Sequence, residues 1–99
     1  MGGLFNMIPD GVDASAAAEA GISEGMAATT AAGAAALTGV LPMATDADSI
    51  QFAAALNAAG TAYLASTAEH VGQRAAFSGA QGMAASTTTA VEAINAGLL

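Results

Sequence analysis

Larger or face-completing residues return along the chain at intervals of three and four, first at Val12, Ser15, Glu19, Ile22, Met26, Thr29, Gly33 and Leu37. That rhythm places them on one side of an α-helix and predicts a first helix over about 10–37. Glu19 is the charged exception, expected near the solvent edge, and Gly33 is expected to admit a neighbouring backbone. A second run, Phe52, Leu56, Gly60, Tyr63, Thr67, His70, Arg74 and Phe77, keeps the same spacing and predicts a helix over about 48–78. Beside it Ile50, Leu64 and Val71 form another apolar line, so this helix is apolar over more of its circumference than one neighbour covers. Gly79 and Gly82 then each weaken a helix by about 1 kcal/mol relative to alanine. Thr87, Thr88 and Thr89 are β-branched, so 79–99 is predicted as a mobile or weakly helical tail.

Between the two runs lies Thr38-Gly39-Val40-Leu41-Pro42-Met43-Ala44-Thr45-Asp46-Ala47-Asp48-Ser49, which reads as a hinge over 38–47. Gly39 is expected to end the first helix in a left-handed conformation, and Pro42 can neither continue a helix nor leave Leu41 free to be helical. Asp46, Asp48 and Ser49 offer oxygens to the free N–H groups of a new helix start. A connection this short returns the second helix antiparallel to the first. At the other end, Ile8-Pro9-Asp10-Gly11 is an entry signal, with Asp10 or Asp13 expected to cap the first helix.

Composition changes this picture from a hairpin to a hairpin in want of a partner. The chain is a single domain of 99 residues, and its apolar content is mostly alanine, with three Phe, one Tyr and no Trp. A buried methyl contributes about 0.8 kcal/mol, against about 1–2 kcal/mol of backbone entropy per ordered residue. An isolated pair of such helices is therefore expected to be short of core, and an all-α antiparallel hairpin that completes a four-helix bundle with another chain resolves the deficit. The remaining faces are Ala, Gly, Ser and Thr, which let another helix approach closely. Ile22, Met26, Leu37, Phe52, Leu56, Tyr63, Arg74 and Phe77 are the expected interface residues, Tyr63 as an amphipathic anchor and Arg74 paired with an acid on this chain or its partner.

Charge and chemistry exclude more than they propose. The formal net charge is −7, with Arg74 the single Arg or Lys, which argues against a nucleic-acid surface and against attraction to anionic lipid. Without cysteine there is neither a disulfide framework nor thiolate chemistry. Met1 to Asn6 has no basic segment ahead of an apolar run, and Asn6 stands where a myristoylation signal on Gly2 needs Ser or Thr. Gly25 to Thr45 is uncharged, but it is chiefly Ala, Gly and Thr and contains Pro42, which argues against a membrane span. Gly21-Ile22-Ser23-Glu24-Gly25 has small-xxx-small spacing, yet Glu24 inside it points to soluble packing. His70, the lone histidine, stands beside Glu69 with no identifiable nucleophile or orienting group, and Asp46 and Asp48 lack the further oxygens a hard cation needs. No catalytic, cofactor, metal or small-molecule site is expected, and the chain reads as non-enzymatic.

Several of these segments together resemble the PE family of mycobacterial proteins. Pro9-Asp10 stands where the family has its Pro-Glu pair, conserving the charge. Thr38 to Pro42 followed by Asp46 to Ser49 is similar to the family's inter-helix turn, and Leu56, Tyr63 and Phe77 fall at its apolar or aromatic positions. Thr88-Thr89-Ala90-Val91-Glu92 lies on the family's export signal, a tyrosine followed four residues later by an acid; Glu92 fits and Thr88 departs from it. The resemblance implies a heterodimer with a PPE-type protein, exported by a type VII secretion system and found secreted or at the cell surface or cell wall. It implies no chaperone site on this chain, because in the family the PPE partner makes that contact. The residues alone leave a second reading open, a self-associating hairpin forming a homodimeric four-helix bundle of structural or adaptor type.

Overall fold

The computed structural model describes residues 6–98, and within them the chain is all-α. Helix α1 spans Pro9–Thr38 and helix α2 spans Ala47–Gly97, with no strand among the described residues. Pro9 occupies the first helical position, where its missing N–H costs nothing, and Val12 N–H donates to the Ile8 carbonyl at 3.1 Å to close the first turn. Asp10 thus lies inside that turn and suits the dipole there, so neither it nor Asp13 is the residue that precedes the helix and caps it.

The hinge stops α1 by a different device from the one expected. No glycine among the described residues has a positive φ, so Gly39 does not terminate the helix in a left-handed conformation. Its N–H donates to the Ala35 carbonyl at 2.8 Å, and a Cβ at Gly39 would lie 2.7 Å from that same oxygen. Glycine is required here for closeness to the last turn. Asp46 then caps α2, its carboxylate accepting the Ser49 N–H at 2.8 Å and the Ser49 hydroxyl at 3.0 Å. Ser49 is therefore a donor to the cap and supplies no capping oxygen itself.

The chain forms two compact units, Glu24–Gly72 and the combination of Met1–Ser23 with Gln73–Leu99. Within Glu24–Gly72 the less exposed positions include Met26, Thr30, Gly33 and Leu37 of α1, with Ala34 beside Gly33, and Ala53, Asn57, Gly60, Leu64, Thr67 and Val71 of α2. Their alternating three- and four-residue spacing is that of a coiled-coil seam. The close approach falls at Gly60, where a Cβ would overlap the Leu37 carbonyl, whereas a Cβ at Gly33 would meet nothing within 4 Å.

In the other unit the seam runs through Val12, Ala16, Glu19 and Ser23 of α1 and Arg74, Ser78, Gln81, Ala85 and Thr88 of α2. Three side-chain bonds cross it. Arg74 pairs with Glu19 at 3.0 Å, Ser78 Oγ donates to the Ala16 carbonyl at 2.7 Å, and Gln81 Nε2 donates to Ser15 Oγ at 3.0 Å. Positions rise on α2 as they fall on α1, which makes the helices antiparallel in this unit. These contacts also correct the expected end of the second helix near residue 78. α2 passes through Gly79 and Gly82 without a break, and Ala85, 1% exposed, is held in the seam beyond them.

Candidate functional site

What the seams leave outside is unusual for a helical protein. The buried apolar residues are Ala16, Ala53 and Ala85, while Phe52, Tyr63 and Phe77 are 63%, 59% and 55% exposed. On α2 four large side chains stand one residue before a seam position, Phe52 before Ala53, Leu56 before Asn57, Tyr63 before Leu64 and Phe77 before Ser78, whereas Leu64 and Val71 are themselves seam residues. One residue is a rotation of about 100° around a helix, so these four lie along a separate line beside the seam. In Glu24–Gly72 that outward line is Phe52, Leu56 and Tyr63. In the other unit Phe77, Val91, Ile94 and Leu98 keep the same three-four register and are likewise exposed.

The residues expected at an interface therefore divide. Phe52, Leu56, Tyr63 and Phe77 are outward and available, and Ile22 of α1 is half exposed. Met26 and Leu37 are partly buried in the intrachain seam. Arg74 is engaged by Glu19 of its own chain, so Glu19 is a seam residue paired across it and not a solvent-edge exception. Gly60 and Thr67 belong to the seam, not to the outward line with which the sequence had grouped them, and His70 is exposed. Pro9 and Asp10 open α1; near the other end of the chain, Thr88 is partly buried and Glu92 is exposed, both inside α2.

Residues that sequence reasoning passed over are Ala16, Ser23, Asn57, Ser78 and Gln81 on the seam, and Val91, Ile94 and Leu98 on the outward line. Asn57 is the most informative. Its Oδ1 accepts the Val40 N–H at 2.8 Å and its Nδ2 donates to the Val40 carbonyl at 3.1 Å, so one amide satisfies both backbone groups of a hinge residue. A lone Asn inside an alanine-rich helical run was the available signal, since an interior Asn is disfavoured unless its side chain has a partner. Ser23 Oγ, in contrast, is buried with no hydrogen-bond partner.

The site's electrostatics are acidic. The Asp46 carboxyl is held below its ordinary value of 3.8, chiefly by the hydrogen bond from Ser49 N–H and then by that from the Ser49 hydroxyl. Val40, Leu41, Met43, Phe52 and Leu56 wall an apolar groove of about 380 Å³ where the hinge meets α2, with Asp48 and Ser49 also in its lining. Among the described residues no cluster of His, Asp and Glu is suited to hold a metal ion, and no helix is long and apolar enough to cross a membrane. Such an arrangement can bury apolar surface against another molecule.

The model of the PE family matches residues 5–95, and the chain belongs to that family. No curated protein and no solved structure matches it significantly.

Proposed function

We propose that this member of the PE family is a non-enzymatic binding protein that pairs through α2 with a PPE-type chain. The two chains form a four-helix bundle and leave the cell together through a type VII secretion system, to be secreted or held at the cell surface. One observation carries this reading: α2 leaves Phe52, Leu56, Tyr63, Phe77, Val91 and Ile94 exposed, while the buried contacts between the chain's own helices are made by Ala, Gly and Ser, with Met26, Leu37, Leu64 and Val71 only partly covered. Each large side chain contributes about 1.5–3 kcal/mol when it moves from water into a packed interface. The family's association with PPE partners supplies the identity of the second chain.

Pairing with a second copy is the competing reading, and charge disfavours it. At a net charge of −7, with its single Arg already on Glu19, the chain has no free Arg or Lys to set against the acids of another copy. Glu92 is proposed as the surviving half of the family's export signal. Export then relies weakly on this tail or draws on the partner's.

The test of the bundle is co-purification of the full chain with a co-expressed PPE-type partner. Phe52→Ala, Leu56→Ala and Phe77→Ala combined are expected to abolish it, each buried Phe costing about 3–5 kcal/mol and Leu about 2–5. Unchanged co-purification contradicts the reading. For the tail, Glu92→Ala is expected to lower export in cells carrying the secretion system and Thr88→Tyr to raise it. Parent-level export of both removes the signal from this chain.

A further inference from the structure

The hinge presents large apolar side chains on a backbone that is held in place. Asn57 fixes Val40 through two hydrogen bonds and Pro42 restricts the turn, yet Leu41 and Met43 stand 82% and 94% exposed. With Phe52 and Leu56 they wall the groove of about 380 Å³ beside α2, and Asp48 is among its lining residues. We propose that this hinge groove receives an apolar side chain of the partner protein that has a Lys or Arg about one helical turn away, the cation meeting Asp48. The proposal rests on the partner reading above and assigns the chemistry of one end of that contact.

Continuity and charge argue for this occupant. Phe52 and Leu56 belong both to the outward line of α2 and to the groove wall, so a helix lying along that line in Glu24–Gly72 arrives at the groove. Asp46 is committed to Ser49, whereas Asp48 makes no ion pair among the described residues, where the one salt bridge is Arg74 with Glu19. A second copy of this chain brings no free Lys or Arg to Asp48, which sets self-association aside as the occupant. A small polar ligand is poorly served. The polar groups of the lining are those of Asp48 and Ser49, and the Ser49 hydroxyl already donates to Asp46.

The test uses the full chain in complex with a co-expressed PPE-type partner from the same genome. Leu41→Ser with Met43→Ser is expected to weaken the complex by about tenfold or more, as loss of a packed apolar anchor does. Asp48→Asn is expected to flatten the dependence of association on salt. With the photo-reactive residue p-benzoylphenylalanine in place of Met43, the cross-link is expected on a partner peptide carrying Lys or Arg within four residues of the linked position. Cross-links confined to this chain or to a second copy overturn the proposal, as does unchanged affinity in the hinge variants. Phe77→Ala separates the two readings, because Phe77 lies outside the groove. If it weakens the complex while the hinge variants do not, the bundle stands and the groove is no docking site. If the parent chain binds no PPE-type partner, both fall.

Discussion

Glycine has opposite meanings at two positions of α2. At Gly60 a Cβ would overlap the Leu37 carbonyl, so the residue is what allows α1 and α2 to touch in that unit. At Gly79 a Cβ would meet nothing within 4 Å, leaving only the helix-propensity penalty. Gly79→Ala is therefore expected to stabilise the protein by up to about 1 kcal/mol, and Gly60→Ala to destabilise it by about 1–3 kcal/mol through forced separation of the backbones. Thermal unfolding of the two variants decides the matter; equal gains from both would mean that the Leu37 contact is not made. Asp46 gives a pH-dependent counterpart. Its carboxyl titrates lower when folded, so its contribution is present above the ordinary value of 3.8 and is lost as the pH falls through the folded value. The stability difference between the parent and Asp46→Ala is expected to shrink over that acid range, and a difference that persists unchanged there would show that the charged form is not what caps α2.

At the scale of the element, α2 is 51 residues long although its sequence contains a plausible stopping place. The bonds from Ser78 to the Ala16 carbonyl and from Gln81 to Ser15 flank Gly79, with Gly82 next to Gln81. Each such bond contributes about 0.5–1.5 kcal/mol. Ser78→Ala with Gln81→Ala is expected to speed amide hydrogen exchange over residues 79–90 by about tenfold while leaving 50–70 unchanged. Uniform exchange along α2 in the variant would show that the seam does not hold this segment.

The same element shows what was legible beforehand and what was not. Pro9, Pro42 and Asp46 act through local backbone geometry, and the start of each helix and the hinge follow from them. Faces are another matter, because the seam and the outward line share one rhythm a single residue apart. Phe52, Leu56, Tyr63 and Phe77 were grouped with Gly60, Thr67 and Arg74, since apolar residues are ordinarily inside. Here Ala, Gly and Asn allow the chain's own helices to approach closely, with Leu37, Leu64 and Val71 partly covered between them, and Phe52, Tyr63 and Phe77 are left for a surface elsewhere. The helix beyond Gly79 departs from the sequence expectation for a related reason, because contacts across the seam at Ser78 and Gln81 override a weak local propensity.

For the whole molecule, the balance is between a thin core and a large apolar exterior. Ala16, Ala53 and Ala85 are the buried apolar residues, and no large side chain is fully buried among the described residues. Burying Phe, Tyr, Leu and Ile of α2 against other helices is then the principal source of stabilisation available, and a net charge of −7 discourages a second copy from providing it. Native mass spectrometry of the full chain, alone and co-expressed with a PPE-type partner, measures this most directly. A one-to-one heterodimer in the mixture, with no discrete homodimer from the chain alone, is the expected result. A stable homodimer that persists unchanged in the presence of the partner would contradict it.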